Sequence, residues 1–287
     1  MPRPPSSRLC TPLRLGRFLR RLDLARRKSF LAPGLWIPAG LALGLLALPL
    51  VALVVRAPWA ELPVLLADRT VTSALGLSVL TAVLSTAVSL VLGIPLALVL
   101  ARSAKWPAVP RRLLRALVTV PLVLPPVVGG VALLLLLGRR GLLGQFLPFQ
   151  LPFTTAAVVI AQTFVAMPFL VLAVEGAIRA TDRRVEIAAA TLGASRWTVF
   201  RRITLPLVAP GVASGALLCF SRALGEFGAT ITFAGSFPGT TQTLPIATYL
   251  QLQTNPDAAI ALSLVLLAVS VGVLVSLRDR WVPGLTS

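Results

Sequence analysis

Six apolar runs, each long enough to cross a lipid bilayer, constrain this chain more than any other feature. They cover residues 35–55, 71–100, 116–137, 155–174, 208–233 and 258–277. About 20 apolar residues wound as a helix span the ~30 Å hydrocarbon layer. Runs of this kind recur along the whole length, so the chain is a multi-span membrane protein and not one soluble core with a tail. The expected fold class is all-α, a polytopic membrane protein of six transmembrane helices. Charged residues make up only 13% of the chain, against about 25% in soluble domains. The first division is between a basic N-terminal segment, 1–34, and a transmembrane domain, 35–280.

Orientation follows from where the basic residues lie. The N-terminal segment, the 101–115 and 175–207 loops and the C-terminus hold nine, five, six and two Lys or Arg, whereas the intervening loops hold two, two and none. Basic loops stay in the cytoplasm, so both termini and the 175–207 loop are expected there. The formal charge of +18 is therefore a topology signal, and nucleic acid is not an expected partner. With no His in the chain, histidine acid–base chemistry is excluded and zinc catalysis with it. Cys10 and Cys219 stand in no pair motif, so neither a disulfide nor a metal site is implied. No phosphate-binding loop occurs, so the chain does not hydrolyse ATP by itself. No nucleophile or carboxylate pair suggests an enzyme, and no cofactor is expected.

Several runs carry features of their own. Residues 1–34 fit either an interfacial helix over 13–28, with Leu15, Phe18, Leu19 and Leu22 on one face, or a disordered basic tail. The first run contains Pro49, a site for a bend. The second would reach ~45 Å as a helix, so it tilts, projects or bends at Gly93-Ile94-Pro95. Pro121, Pro125, Pro126, Gly129 and Gly130 predict a broken third span, which either lines a pathway or is kinked for packing. Gly211 and Gly215 predict a close helix contact. Arg222 and Glu226 are opposed charges inside the fifth run, four apart and so on one helical face. They are either a packing pair that neutralises itself or residues near a translocation path. Residues 234–257 read as an outer loop, rich in Gly, Ser and Thr, suited to hydrogen bonding with a partner protein or an anion.

The longest polar interval, 181–211, is the most organised loop. Thr181 or Asp182 caps a first short helix that stops at Gly193. Ser195 caps a second that sets Trp197, Phe200 and Ile203 roughly on one face, and Leu205-Pro206 ends it. Such a unit either offers a shaped surface to a cytoplasmic partner or simply anchors the loop.

This interval resembles the cytoplasmic signature loop of the integral membrane subunits of bacterial ABC importers, a pattern of Glu-Ala-Ala, three residues, Gly, about nine residues, then Ile-x-Leu-Pro. Ala188, Ala189, Gly193, Ile203, Leu205 and Pro206 match it. The motif Glu falls on Ile187, and the nearest acid is Glu186, one place earlier. The resemblance covers residues 65–280. It implies the type I ABC importer permease fold, a bacterial cell membrane location, and a coupling loop at 181–206 that docks on a separate ATPase. Within the superfamily, Arg222 to Thr230, Ala234-Gly235, Pro238-Gly239, Thr241 to Thr243 and Pro245 closely resemble the molybdate permease subunits, with Ser236 where those usually carry Asn. Sulfate and thiosulfate permeases share Gly225 to Gly228. The resemblance implies a homodimer with a second copy of the chain, two ATP-binding cassette subunits and an extracytoplasmic molybdate-binding protein, all around a lipid-embedded channel. Sulfate or thiosulfate is the alternative cargo. A secondary transporter is the competing class, disfavoured by the signature loop and the lack of a visible internal repeat.

Overall fold

The computed structural model describes residues 35–281; the expected helix or tail at 1–34, and Cys10 within it, lie outside the described residues. No strand occurs among the described residues. The chain forms two compact units divided after Val55. In the first, α1 (Trp36–Val55) is one 20-residue helix that runs through Pro49 and buries none of its residues.

The second unit opens with a short helix, α2 (Leu62–Ala67). The long α3 (Arg69–Arg102) follows, and Asp68 starts it by accepting the Thr70 backbone N–H at 2.6 Å. That donation holds the Asp68 carboxyl below the ordinary carboxylate range. At 34 residues α3 is about 50 Å long, well over the ~30 Å apolar layer. It continues unbroken through Pro95, so Gly93 does not end a segment. Gly93 admits a neighbour instead, because a Cβ there would come within 3.0 Å of Leu170 and 3.3 Å of Val171.

The third apolar run is divided, as its prolines predict. α4 (Ala108–Val123) and α5 (Pro126–Leu137) are bent by 117°. Leu124 is held extended, at φ −66° and ψ 130°, because the ring of Pro125 disfavours the helical conformation of the residue before it. α6 (Thr155–Ala180) is capped by Thr154, whose hydroxyl accepts the Ala157 N–H at 3.2 Å. A nine-residue helix, α7 (Arg183–Thr191), precedes α8 (Arg196–Leu224). After them come α9 (Gly228–Phe233), α10 (Leu244–Thr254) and α11 (Pro256–Trp281).

Helices α3, α6 and α8 form the main core, where Ala82, Ala97, Leu100, Leu170, Val171, Val174, Cys219 and Ala223 bury one another. Small residues set the spacing. A Cβ on Gly211 would collide with Ala177, and one on Gly215 would sit 3.0 Å from the Ala173 Cβ, so the close contact expected of these glycines is present between α8 and α6. Polar residues join the helices as well. Ser85 meets Thr163 at 3.2 Å, and Ser78 accepts the Leu244 N–H at 2.6 Å, tying α3 to α6 and α10.

Five described helices are long and apolar enough to cross a membrane, or six if α4 and α5 count as one span. Three local expectations fail. Leu205-Pro206 does not end a helix, because α8 passes through it by way of a π turn at Phe200–Thr204. The wider turn removes the clash a proline ring otherwise makes with the carbonyl four residues back. The fifth span does not reach 233, since α8 stops at Leu224 and the chain turns at Gly225. The 234–257 segment is not all loop, for it contains α10.

Candidate coupling site at the basic end of the bundle

The expected two-helix unit is present at the end of the bundle where Arg102, Arg115 and Arg179 meet. Asp182 caps α7 by accepting the Arg184 N–H at 2.9 Å. The far end closes as a Schellman turn, in which the Ala194 N–H bonds to the Ala189 carbonyl at 3.1 Å and the Gly193 N–H to the Ala190 carbonyl at 3.1 Å. Gly193 takes φ +86° there, a conformation that costs side-chain-bearing residues roughly 1–2 kcal/mol. Ser195 then starts α8, accepting the Thr198 N–H at 3.2 Å.

Glu186 holds this unit to the bundle. Its carboxylate accepts the Thr204 hydroxyl at 2.6 Å, within the π turn, and pairs with the Arg102 guanidinium at 3.2 Å, at the end of α3. One side chain therefore ties α7 to both α3 and α8. The carboxylate points inward, so Ile187, the neighbour that replaces the motif Glu, points out. Val185, Ile187, Leu192 and Trp197 are all exposed, Leu192 at 89%, and Trp197 is in ring contact with Phe200 at 5.4 Å. Ala188 and Gly193 lie on the exposed side, while Ala189, Ile203 and Leu205 are half-buried and Pro206 is exposed.

A second ionic node lies beside the first. Glu175 is buried and accepts from Arg115 Nη2 at 2.5 Å and Arg179 Nε at 2.7 Å. Arg179 also reaches the Leu100 carbonyl at 3.4 Å. The node joins α4, α6 and α3. Sequence reasoning missed it because it ended the fourth span at 174, one residue short. The available signal was the spacing of Glu175 and Arg179, four apart in an otherwise apolar helix.

Arg222 and Glu226 do meet, Nη1 to Oε2 at 2.6 Å, as an ion pair without hydrogen-bond alignment. They do not share a helix, contrary to expectation. Arg222 lies in the last turn of α8, and Glu226 sits in the break beyond it. Gly225 lets the chain turn there. The second Glu226 oxygen accepts the Ala229 N–H at 2.8 Å and so secures the start of α9. Gly228 beside it packs against Pro126 and Val127 of α5. The carboxylate is 1% exposed.

The outer segment is more closed than its composition suggests. Thr241, Gln242 and Thr243 are buried. Thr241 accepts the Phe237 N–H at 2.9 Å. Phe237, Pro238, Gly239 and Thr240 form an exposed turn, and Tyr249, Leu250 and residues 252–257 are exposed farther on; Phe237 makes an edge-to-face contact with Phe153 at 5.9 Å. No group of acidic, Cys or His side chains able to hold a metal ion occurs among the described residues.

Comparison with known proteins accords with this architecture. Residues 93–283 match the family model "Binding-protein-dependent transport system inner membrane component". The "Molybdenum transport system permease protein ModB" of Mycobacterium tuberculosis is 50% identical over 248 residues, covering 85% of this chain and 93% of that protein. The "Sulfate transport system permease protein CysW" of a Synechocystis strain is 37% identical over 219 residues, covering 74% of this chain and 78% of that one. Among solved structures, a bacterial ABC transporter for import of the acidic polysaccharide alginate shares the fold with a TM-score of 0.63 at 17% identity, over 93% of this chain and 96% of that one. An all-helical, multi-span chain with this loop at its basic end, matched over two-thirds of its length, belongs to the family of binding-protein-dependent transport system inner membrane components.

Proposed function

We propose that the chain is the channel-forming subunit of an ATP-driven importer for molybdate, with tungstate an equal cargo by its chemistry. It pairs with a second copy of itself, takes its oxyanion from an extracytoplasmic binding protein and engages two ATPase subunits through 181–206. The basic end of the bundle is cytoplasmic, and both termini lie on that side. The observation that carries the coupling reading is the orientation of α7, where Glu186 is spent on holding the helix down while Val185, Ile187, Leu192 and Trp197 are left facing out. An exposed apolar set on a helix pinned at two points suits a docking surface. Kinship with the molybdenum permease, close over nearly its whole length, supports the cargo. The sulfate permease similarity keeps sulfate as the second reading.

The deciding experiment is uptake into vesicles holding this chain with its cognate ATPase and binding protein. Labelled molybdate should enter on addition of ATP and sulfate should not compete. Sulfate uptake insensitive to excess molybdate would overturn the cargo. ATP-independent uptake would overturn the class.

A further inference from the structure

A cavity of about 210 Å³ opens beneath the coupling helix, between the ends of α3 and α6 and the start of α8. Arg102, Arg179 and Arg183 line it, with Glu186, Thr181 and Thr204. The lining thus holds three arginines and a single carboxylate. The Arg183 guanidinium has no ion-pair or hydrogen-bond partner among the described residues. Arg102 bonds through Nη2 only, and Arg179 through Nε and Nη2, so each keeps N–H donors free. The two hydroxyls are already donated, Thr181 to the Ala177 carbonyl at 3.0 Å and Thr204 to Glu186. The free donors are thus all cationic N–H groups, and the sole carboxylate is already engaged twice. A neutral or cationic ligand finds little here, whereas a group with several acceptor oxygens and negative charge matches forked guanidinium donors. Ala101, Ile178 and Val208 add apolar lining.

We propose that this cavity binds a phosphate-type oxyanion, presented either by an anionic lipid headgroup or by free phosphate. Bound there, the anion links Arg102 and Arg179 of the bundle to Arg183 of α7. It thereby adds a third tie to the joint that Glu186 makes alone. The test of this site uses neither ATPase docking nor cargo uptake.

The full-length chain is reconstituted in phosphatidylcholine discs and its thermal unfolding is followed. One arm adds inorganic phosphate, with KCl at matched ionic strength as reference; the other replaces part of the phosphatidylcholine by phosphatidylglycerol. A rise in Tm beyond the KCl reference in either arm supports the site. The responding arm names the source. Arg183→Gln should raise the half-saturating phosphate concentration roughly tenfold, as expected for one lost charge-assisted contact, or abolish the phosphatidylglycerol shift. Arg184→Gln, a neighbouring exposed arginine outside the cavity, should leave both responses unchanged. The proposal fails if neither arm shifts Tm, or if Arg184→Gln weakens the response as much as Arg183→Gln, since diffuse surface charge would then account for it.

Discussion

At the scale of single residues, two carboxylates do comparable work in different places. Glu186 bridges three elements at the basic end, and Glu226 bridges the break between α8 and α9. Glu186 is partly open to water and its Arg102 partner is half-exposed, so the ion pair itself contributes little, about 0–1 kcal/mol. The hydrogen bond to the buried Thr204 matters more, since a bond to a charged group is worth about 1.5–3 kcal/mol. Glu186→Gln, which can still accept from Thr204, should therefore keep most ATP-driven uptake. Glu186→Ala should lose it while the chain still reaches the membrane. Equal uptake in the two variants would show that the clamp does not serve coupling. Glu226 is buried, so leaving Arg222 or Glu226 alone in the bundle should be costly. Arg222→Met combined with Glu226→Gln removes both charges and retains an acceptor for the Ala229 N–H. If the pair serves packing, the double variant regains much of the uptake lost in each single one. Recovery of basal ATPase activity without recovery of uptake would instead move Arg222 into the pathway. The packing reading is favoured because both oxygens of Glu226 are engaged and the carboxylate is shut away from solvent.

At the scale of elements, Gly193 separates backbone cost from surface cost. A Cβ at this position meets nothing within 4 Å, so Gly193→Ala pays only for its positive φ, roughly 1–2 kcal/mol. Gly193→Trp carries the same backbone cost and also places a large ring on the exposed side. Pull-down of the ATPase should persist for the Ala variant and fail for Trp. Identical binding by both would place docking elsewhere. The α6–α8 contact gives an independent test of the fold. Gly211→Ala forces a methyl group against Ala177 and should lower stability by about 1–3 kcal/mol, whereas Gly176→Ala, with open space at its Cβ, should not. Unfolding of the two variants in detergent, followed by intrinsic fluorescence, checks this directly.

At the scale of the whole molecule, the proposed function makes the chain one part of an assembly. The chain on its own should show no ATPase activity. Adding the ATPase subunits should produce basal hydrolysis, and adding the loaded binding protein should raise it. ATP hydrolysis by the purified chain, at a rate that survives further purification, would contradict the absence of a phosphate loop.

Much of this was legible from residue order, and the reasons differ by element. The spans were legible because a bilayer demands about 20 apolar residues for each crossing, a requirement that acts on local composition. The divided third span was legible because proline acts on its own neighbour, as Leu124 shows. Gly193 was legible because its turn needs a positive φ. The path of α8 through Pro206 was not, because a π turn absorbs the ring at no visible cost in sequence. Nor was the Glu175 node, whose partner Arg115 lies 60 residues away. The inward aim of Glu186 was hidden for the same reason, since Arg102 comes near it only after α3, α7 and α8 have packed. Local chain chemistry thus determined where the apolar segments lie and the turns at Pro125 and Gly193, but not the end of α8 at Leu224 or the presence of α10. Tertiary packing decided which charges distant in the chain meet, because an ion pair depends on distance in space, and residue order reveals it only for near neighbours such as Arg222 and Glu226.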